Sequence, residues 1–267
     1  EAFAAMMPIV RAYNPEVAVV YVFEDPESSF IPPAQVAKSC SALRSNQVDA
    51  HLEILEGRPG EEIPRHAKRR KTDLIVMATH GRSGLKRLLA GSVAEEVIRR
   101  SDVPILVTRP GTAIHDWKRM IVALDGSERG ESILGVVVPL AQELKTHVDV
   151  MQVALPTDTA ASMGKVQNTA TFEDPMPYLK RVQRTLAAEG LDARAIAPQG
   201  SAALRIMAHA KETGAALICM TTHGRTGLER VYLGSIAEEV MRHAPCPVLL
   251  LRTVESDPSA TGIQLPK

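Results

Sequence analysis

From Met120 onward the apolar and polar positions switch between two rhythms. Residues 120–125 (MIVALD) form a continuous apolar run of buried-strand length. Residues 131–145 carry a helical pattern, and 148–153 return to a strand. A helix is predicted over 175–189, ended by Gly190 in the left-handed position after a C-cap. A strand at 193–197 and a helix at 202–213, stopped by Gly214, come next. An apolar strand at 216–220, a helix at 235–243 and a strand at 248–251, entered through Pro247, complete the series. Continuous apolar strands alternating with helices predict an α/β fold, a parallel sheet covered on both faces. Pro139 falls inside the first of these helices, where a kink is expected.

The chain holds this unit twice. Residues 74–109 lie on 217–252 without a gap, and 20 of the 36 positions are identical. Upstream, Pro8, Val17, Val19 and Val22 fall on Pro139, Val148, Val150 and Val153, an offset of 131 that becomes 143 further on. The second copy therefore carries twelve extra residues, placed in the Thr-, Ala-, Asp- and Pro-rich stretch 156–175. The expected division is a first domain over 1–112, a second over 117–253 and a polar tail over 254–267. In the 131-residue register the counterpart of Met120 falls before Glu1, so the first copy is expected to lack its first strand. A sheet without an internal strand is a poor fold, and the expected reason is a short N-terminal stretch missing from this sequence.

Composition narrows the function. Thirty-one basic residues balance thirty-one acidic ones, which argues against a nucleic-acid or anionic-membrane surface. Cys40, Cys219 and Cys246 are an odd count without metal-ligand spacing, as for reduced thiols in a cytosol. Cys219 and Cys246 lie in strand-like runs and read as small core residues. No apolar run approaches the ~18 residues of a membrane span. A soluble, cytoplasmic protein is expected.

The chemistry is concentrated where a strand gives way to a helix. Met77-Ala78-Thr79-His80-Gly81, nine residues and Gly91-Ser92 recur as Met220-Thr221-Thr222-His223-Gly224, nine residues and Gly234-Ser235. A helix start has four free N–H groups and the positive end of the dipole, a natural phosphate seat. Gly91 and Gly234 let the backbone approach an anion, and Ser92 and Ser235 could add a hydroxyl. Ser92 with Glu95, and Ser235 with Glu238, also match a capping box that needs no ligand. The two readings can coexist, but thirteen residues between Met220 and Gly234 exceed the ~2–6 of an ordinary strand–helix connection. That length favours an anion site. His80 and His223 read as turn-stabilising residues. Arg82, Arg87, Arg225 and Arg230 could meet phosphates or face solvent.

The segment resembles the nucleotide loop of the universal stress protein family, G-x2-G-x9-G-[S/T]. The opening Leu124-Asp125-Gly126-Ser127-Glu128 and the repetition add to the resemblance, which spans residues 1–252. It implies two tandem open parallel-sheet domains of strand order 3-2-1-4-5, with nucleotide at the switch between strands 1 and 4. It implies that Asp125 reaches the ribose or a Mg²⁺ ion, with Ala123 and Leu124 beside it. Val153 and Val22 would offer backbone groups to adenine, and Met220 and Met77 would lie on the base. Gly224, Gly234, Ser235 and the Ile236 N–H would hold phosphates in one copy, and Gly81, Gly91, Ser92 and Val93 in the other. The family's first glycine is replaced by Ala78 and by Thr221. A threonine forced to positive φ costs about 1–2 kcal/mol, enough to weaken a micromolar ligand about tenfold.

The implied function is binding of ATP or AMP in a regulatory stress protein rather than efficient catalysis. Two alternatives stay open: a nucleotide-free adaptor working through protein contacts, suggested by the lost first glycine, and a slow ATPase. No P-loop Lys follows a G-x4-G. The resemblance also implies that strands 105–109 and 248–252 pair as an internal pseudo-dimer, and an edge of this type could support a homodimer. The stretch 156–175 is expected to overhang the second site.

Overall fold

The computed structural model describes residues 2–24, 32–79, 92–112, 116–154, 174–222 and 233–252. The first half runs α1 (Ala2–Tyr13), β1 (Val17–Phe23), α2 (Ala34–Ser45), β2 (Ala50–Glu56), α3 (Pro59–Arg70), β3 (Ile75–Ala78), α4 (Ser92–Arg100) and β4 (Ile105–Thr108). The second opens with β5 (Arg119–Ala123), α5 (Glu128–Glu131), α6 (Leu134–Leu144) and β6 (His147–Met151). It continues through α7 (Met176–Ala188), β7 (Ala193–Ile196), α8 (Ala202–Thr213), β8 (Leu217–Thr221), α9 (Ser235–His243) and β9 (Val248–Leu251). The helix stops are local: Lys71 and Lys145 take left-handed conformations after α3 and α6, and Gly214 does so after α8. The helix predicted over 131–145 is divided. Ser127 caps the one-turn α5, residues 132–133 form a turn, and α6 then runs through Pro139.

In the second half the strand order is β7-β6-β5-β8-β9, every pair parallel, which is the 3-2-1-4-5 arrangement. β9 pairs antiparallel with β4, Leu249 facing Leu106, and β4 pairs parallel with β3, so seven strands form one sheet. β1 and β2 form a separate two-stranded parallel sheet. The first half thus departs from a single five-stranded order. Its β1 and β3 correspond to β6 and β8, which in the second half are joined through β5; no described strand stands between β1 and β3.

Alternation along β5 explains why its run is continuously apolar. Met120 and Val122 enter one core with α6 and α7, while Ile121 and Ala123 enter another with α8 and α9. Both cores also hold first-half residues: Ala5, Ile9 and Leu106 in one, Val97, Ile98 and Val107 in the other. A third, small cluster of Val10, Cys40, Leu43, Val48 and Ala50 lies against the β1–β2 sheet. All three cysteines are buried and unbridged, and burial pushes the Cys246 thiol up to about 12. Among the described residues no helix is long and apolar enough to cross a membrane.

Candidate functional site

In the second half the strand order turns back between β5 and β8, and this switch opens a crevice at the carboxyl ends of the two parallel strands. Open parallel sheets hold their ligands at such a point. On one wall, Ala123 ends β5, and the Leu124 N–H donates to the Met151 carbonyl at 2.8 Å, tying the strand end to β6. Asp125 follows. Its Oδ1 accepts from the Ser127 N–H at 3.1 Å and the Ser127 hydroxyl at 2.7 Å, and Ser127 Oγ accepts from Gly130 N–H at 3.0 Å. Gly126 makes the intervening turn at φ 83°, and Gln152 Nε2 donates to the Asp125 carbonyl at 3.5 Å. The aspartate is therefore held in place before any ligand arrives. Gly130 is part of that arrangement, because a Cβ there would lie 2.2 Å from Asp125 Oδ1.

The other wall is the end of β8. Met220 and Thr221 are buried in the strand. Thr222 N–H donates to the Leu251 carbonyl at 2.9 Å, and Gly234 N–H donates to the Thr222 carbonyl at 2.8 Å. That last bond brings the start of α9 against the end of β8. Two sequence expectations change here. Gly234, at φ −58° and ψ 139°, occupies the N-cap of α9, so the cap residue itself brings no side chain to the helix start. Ser235 is the first helical residue, and Glu238 pairs with Arg242 instead of closing a capping box. Thr221 belongs to the strand and is absent from the positive-φ residues, so the strain foreseen for a threonine does not arise.

Val153 is buried just beyond β6, where Ala154 bridges to Gln199. Ser235 is exposed, and Ile236 is 41% exposed on the first turn of α9. The first-half counterparts are less assembled. Val22 lies in β1 and Met77 and Ala78 in β3, strands of two different sheets. Ser92 opens α4 and Val93 is exposed beside it. Gly81, Gly91, Gly224, the loop histidines and arginines, and nearly all of 156–175 lie outside the described residues.

Near Asp125, Tyr178 carried no motif signal. Tyr178 is stacked under the Arg181 guanidinium, 5.2 Å from its ring centroid, and Arg181 pairs with Glu131. Burial pushes the Tyr178 hydroxyl well above its ordinary range, and the carboxylates of Glu131 and Asp125 add to the shift. Ser127 was legible, since Asp-x-Ser before a helix is a local capping pattern. Among the described residues no group of three or more His, Cys, Asp or Glu could hold a metal ion.

A second polar cluster lies away from the crevice. Asp149, fully buried on β6, accepts from Arg119 Nη1 at 2.8 Å to both oxygens. His147 Nε2 lies 3.0 Å and His209 Nε2 2.8 Å from it. Burial alone would raise this carboxyl, but the bonds from His209, Arg119 and His147 hold it below the usual carboxylate range.

The family model described as the universal stress protein family matches residues 1–109 and again 116–252. Universal stress protein YxiE of Bacillus subtilis is 30% identical over 147 residues, 51% of this chain and 99% of that protein. Universal stress protein MJ0531 of Methanocaldococcus jannaschii is 52% identical over 62 residues, 23% of this chain and 36% of that one. The universal stress protein E homolog of Haemophilus influenzae is 24% identical over 227 residues, 79% of this chain and 72% of that protein. The crystal structure of a universal stress protein from Archaeoglobus fulgidus superposes with a TM-score of 0.66 at 19% identity, covering 95% of this chain and 92% of that one, which shows the fold. With both halves matched by one family model and the strand order in agreement, the chain belongs to the universal stress protein family.

Proposed function

We propose that the chain binds an adenine nucleotide, ATP or AMP, in the crevice between β5 and β8, and works as a regulatory nucleotide-binding protein rather than an efficient enzyme. The observation that carries this is the glycine-capped start of α9, held against Thr222 opposite a pre-positioned Asp125. Backbone N–H groups there suit a polyphosphate, and an anion seat needs no lysine when a helix start supplies the donors. In this reading Gly224, Gly234, Ser235 and the Ile236 N–H hold phosphates. Val153 and Met220 line the base, with Ala123 and Leu124 beside the ribose. Mg²⁺, when present, is shared between phosphate oxygens and Asp125, since this ion uses few protein carboxylates beside substrate phosphates. The nucleotide-free adaptor was suggested by the lost first glycine of both loops; in the second half the strand conformation of Thr221 carries no positive-φ strain, which favours the nucleotide reading.

The two halves, 1–112 and 117–253, act in this reading as domains of an internal pseudo-dimer, supported by the β4–β9 pairing. Three buried, unbridged thiols suit a reducing cytoplasm. Thermal unfolding with millimolar ATP, with and without Mg²⁺, tests nucleotide binding. Occupancy at 100-fold over Kd adds about 2.7 kcal/mol. Gly234→Val, whose side chain would intrude on the phosphate seat, is expected to lose that gain. No shift at millimolar ATP or AMP would end the reading.

A further inference from the structure

Among the described residues Gln152 is the only buried carboxamide, 8% exposed just past the end of β6. Glutamine seldom stays inside a protein, because its amide nitrogen and its amide oxygen both need partners. Here only the nitrogen finds one. Nε2 donates to the Asp125 carbonyl at 3.5 Å, whereas Oε1 is buried with no hydrogen-bond partner among the described residues. The main chain around it is fixed: Gln152 N–H donates to the Ile196 carbonyl at 3.2 Å, and the neighbouring Met151 carbonyl accepts from Leu124 N–H at 2.8 Å. β5 and β6 pair in register from Arg119–His147 to Ala123–Met151, and the Leu124 bond extends that ladder by one step. Asp125 then leaves the sheet through Gly126, at φ 83°, toward α5. Its carbonyl lies past the paired strands, and the donor it meets from the β6 side is the Gln152 side chain. Asp125 is thus held from two elements: Ser127 binds the carboxylate, and Gln152 binds the main chain. An apolar side chain of the same length would fill this space without leaving an acceptor unpaired, so fold stability does not account for the glutamine.

We propose that Gln152 is a positioning residue for Asp125: its Nε2–H clamps the Asp125 main chain so that the carboxylate meets the ligand in one orientation, while its unpaired Oε1 lowers the stability of the fold. The inference rests on the nucleotide reading above and names a residue that acts behind the aspartate, without touching the ligand itself. A carboxylate already held in its bound orientation loses less freedom when the ligand arrives, and that difference appears as affinity. The glutamine is therefore kept for the site and against the stability of the strand end. That combination separates it from an ordinary buried hydrogen bond, whose removal weakens the fold.

Gln152→Met keeps the length of the side chain and removes both the donor and the unpaired acceptor. Parent and variant are titrated calorimetrically with ATP and Mg²⁺, with ATP in a chelator, and with dideoxy-ATP and Mg²⁺. Thermal unfolding of both is recorded without nucleotide. The variant is expected to unfold at the parent's temperature or above it, and to bind ATP with Mg²⁺ about tenfold more weakly. Toward at least one of the reduced ligands, the one lacking the ion or the ribose hydroxyls that Asp125 meets, the two proteins should bind alike. A glutamine with a merely structural role would instead give a lower unfolding temperature and equal weakening toward all three ligands. That result overturns the proposal, as does unchanged affinity for ATP with Mg²⁺. Gln152→Leu is measured in parallel; the proposal stands on whichever variant folds and falls if neither does. A parent that binds none of the three ligands ends the nucleotide reading, whereas a parent that binds them no differently from the variant ends this inference alone.

Discussion

At the scale of single residues, the most constrained contact in the crevice is the one between Gly130 and Asp125. A glycine within a helix ordinarily costs about 1 kcal/mol relative to alanine. Here the alanine Cβ would stand 2.2 Å from Asp125 Oδ1, inside any permitted contact, and Gly130 is buried with no room to retreat. The clash therefore outweighs the helix gain, and Asp125 must leave Ser127. Gly130→Ala is expected to weaken ATP binding about tenfold, or 1.4 kcal/mol, measured by calorimetric titration. Unchanged affinity would mean that Asp125 takes no part in the site. Thr221 makes the complementary point: a residue that is unfavourable in a left-handed turn is at ease as the last residue of a strand.

Among the elements, the two halves anchor equivalent helices, α3 before β3 and α8 before β8, in different ways. His66 of α3 and His209 of α8 occupy equivalent positions, and each meets a strand carboxylate. In the second half that carboxylate is Asp149 on β6; in the first it is Glu53 on β2, one strand further out, with Ala18 standing where Asp149 would be. Asp149 has a lower pKa folded than its ordinary 3.8, so its contribution to stability is present above that value. The contribution is lost as pH falls through the folded value. Asp149→Asn is expected to cost about 3 kcal/mol at neutral pH, since it leaves Arg119 without its partner. The same variant should lose less stability than the parent on acidification from pH 4 downward, as followed by urea unfolding at stepped pH. A parallel loss in both would assign the acid sensitivity elsewhere.

For the molecule as a whole, the antiparallel junction of β4 and β9 makes one sheet from strands of both halves. Both large cores cross that junction: Leu106 shares a core with Leu249 and Trp117, and Ile98 and Val107 share the other with Met241 and Val248. Neither half can expose its strands without opening the core of the other. The seven-stranded sheet with its helices is expected to unfold in one calorimetric transition, with calorimetric and van't Hoff enthalpies in agreement. Two resolved transitions would mean that the shared cores couple the halves weakly.

Local periodicity and the repeat made much of this legible in advance. The helices at 202–213 and 235–243 and the strand at 248–251 stand where the pattern put them. Burial on both sheet faces leaves its mark in consecutive apolar residues, and duplication leaves its mark in identity; neither needs coordinates. The split of α5 from α6, the glycine cap of α9 and the extended Thr221 were not legible, because each depends on the φ and ψ of one or two residues, which neighbouring strands impose. The Asp149 cluster was invisible for another reason: Arg119, His147 and His209 converge from three elements, and nothing in the local rhythm of any one of them records the other two. Sequence by itself determined the doubled α/β unit and its apolar strands. Which side chains meet at bonding distance was decided by tertiary packing, because contacts between residues far apart in the chain exist only once the sheet has brought them together.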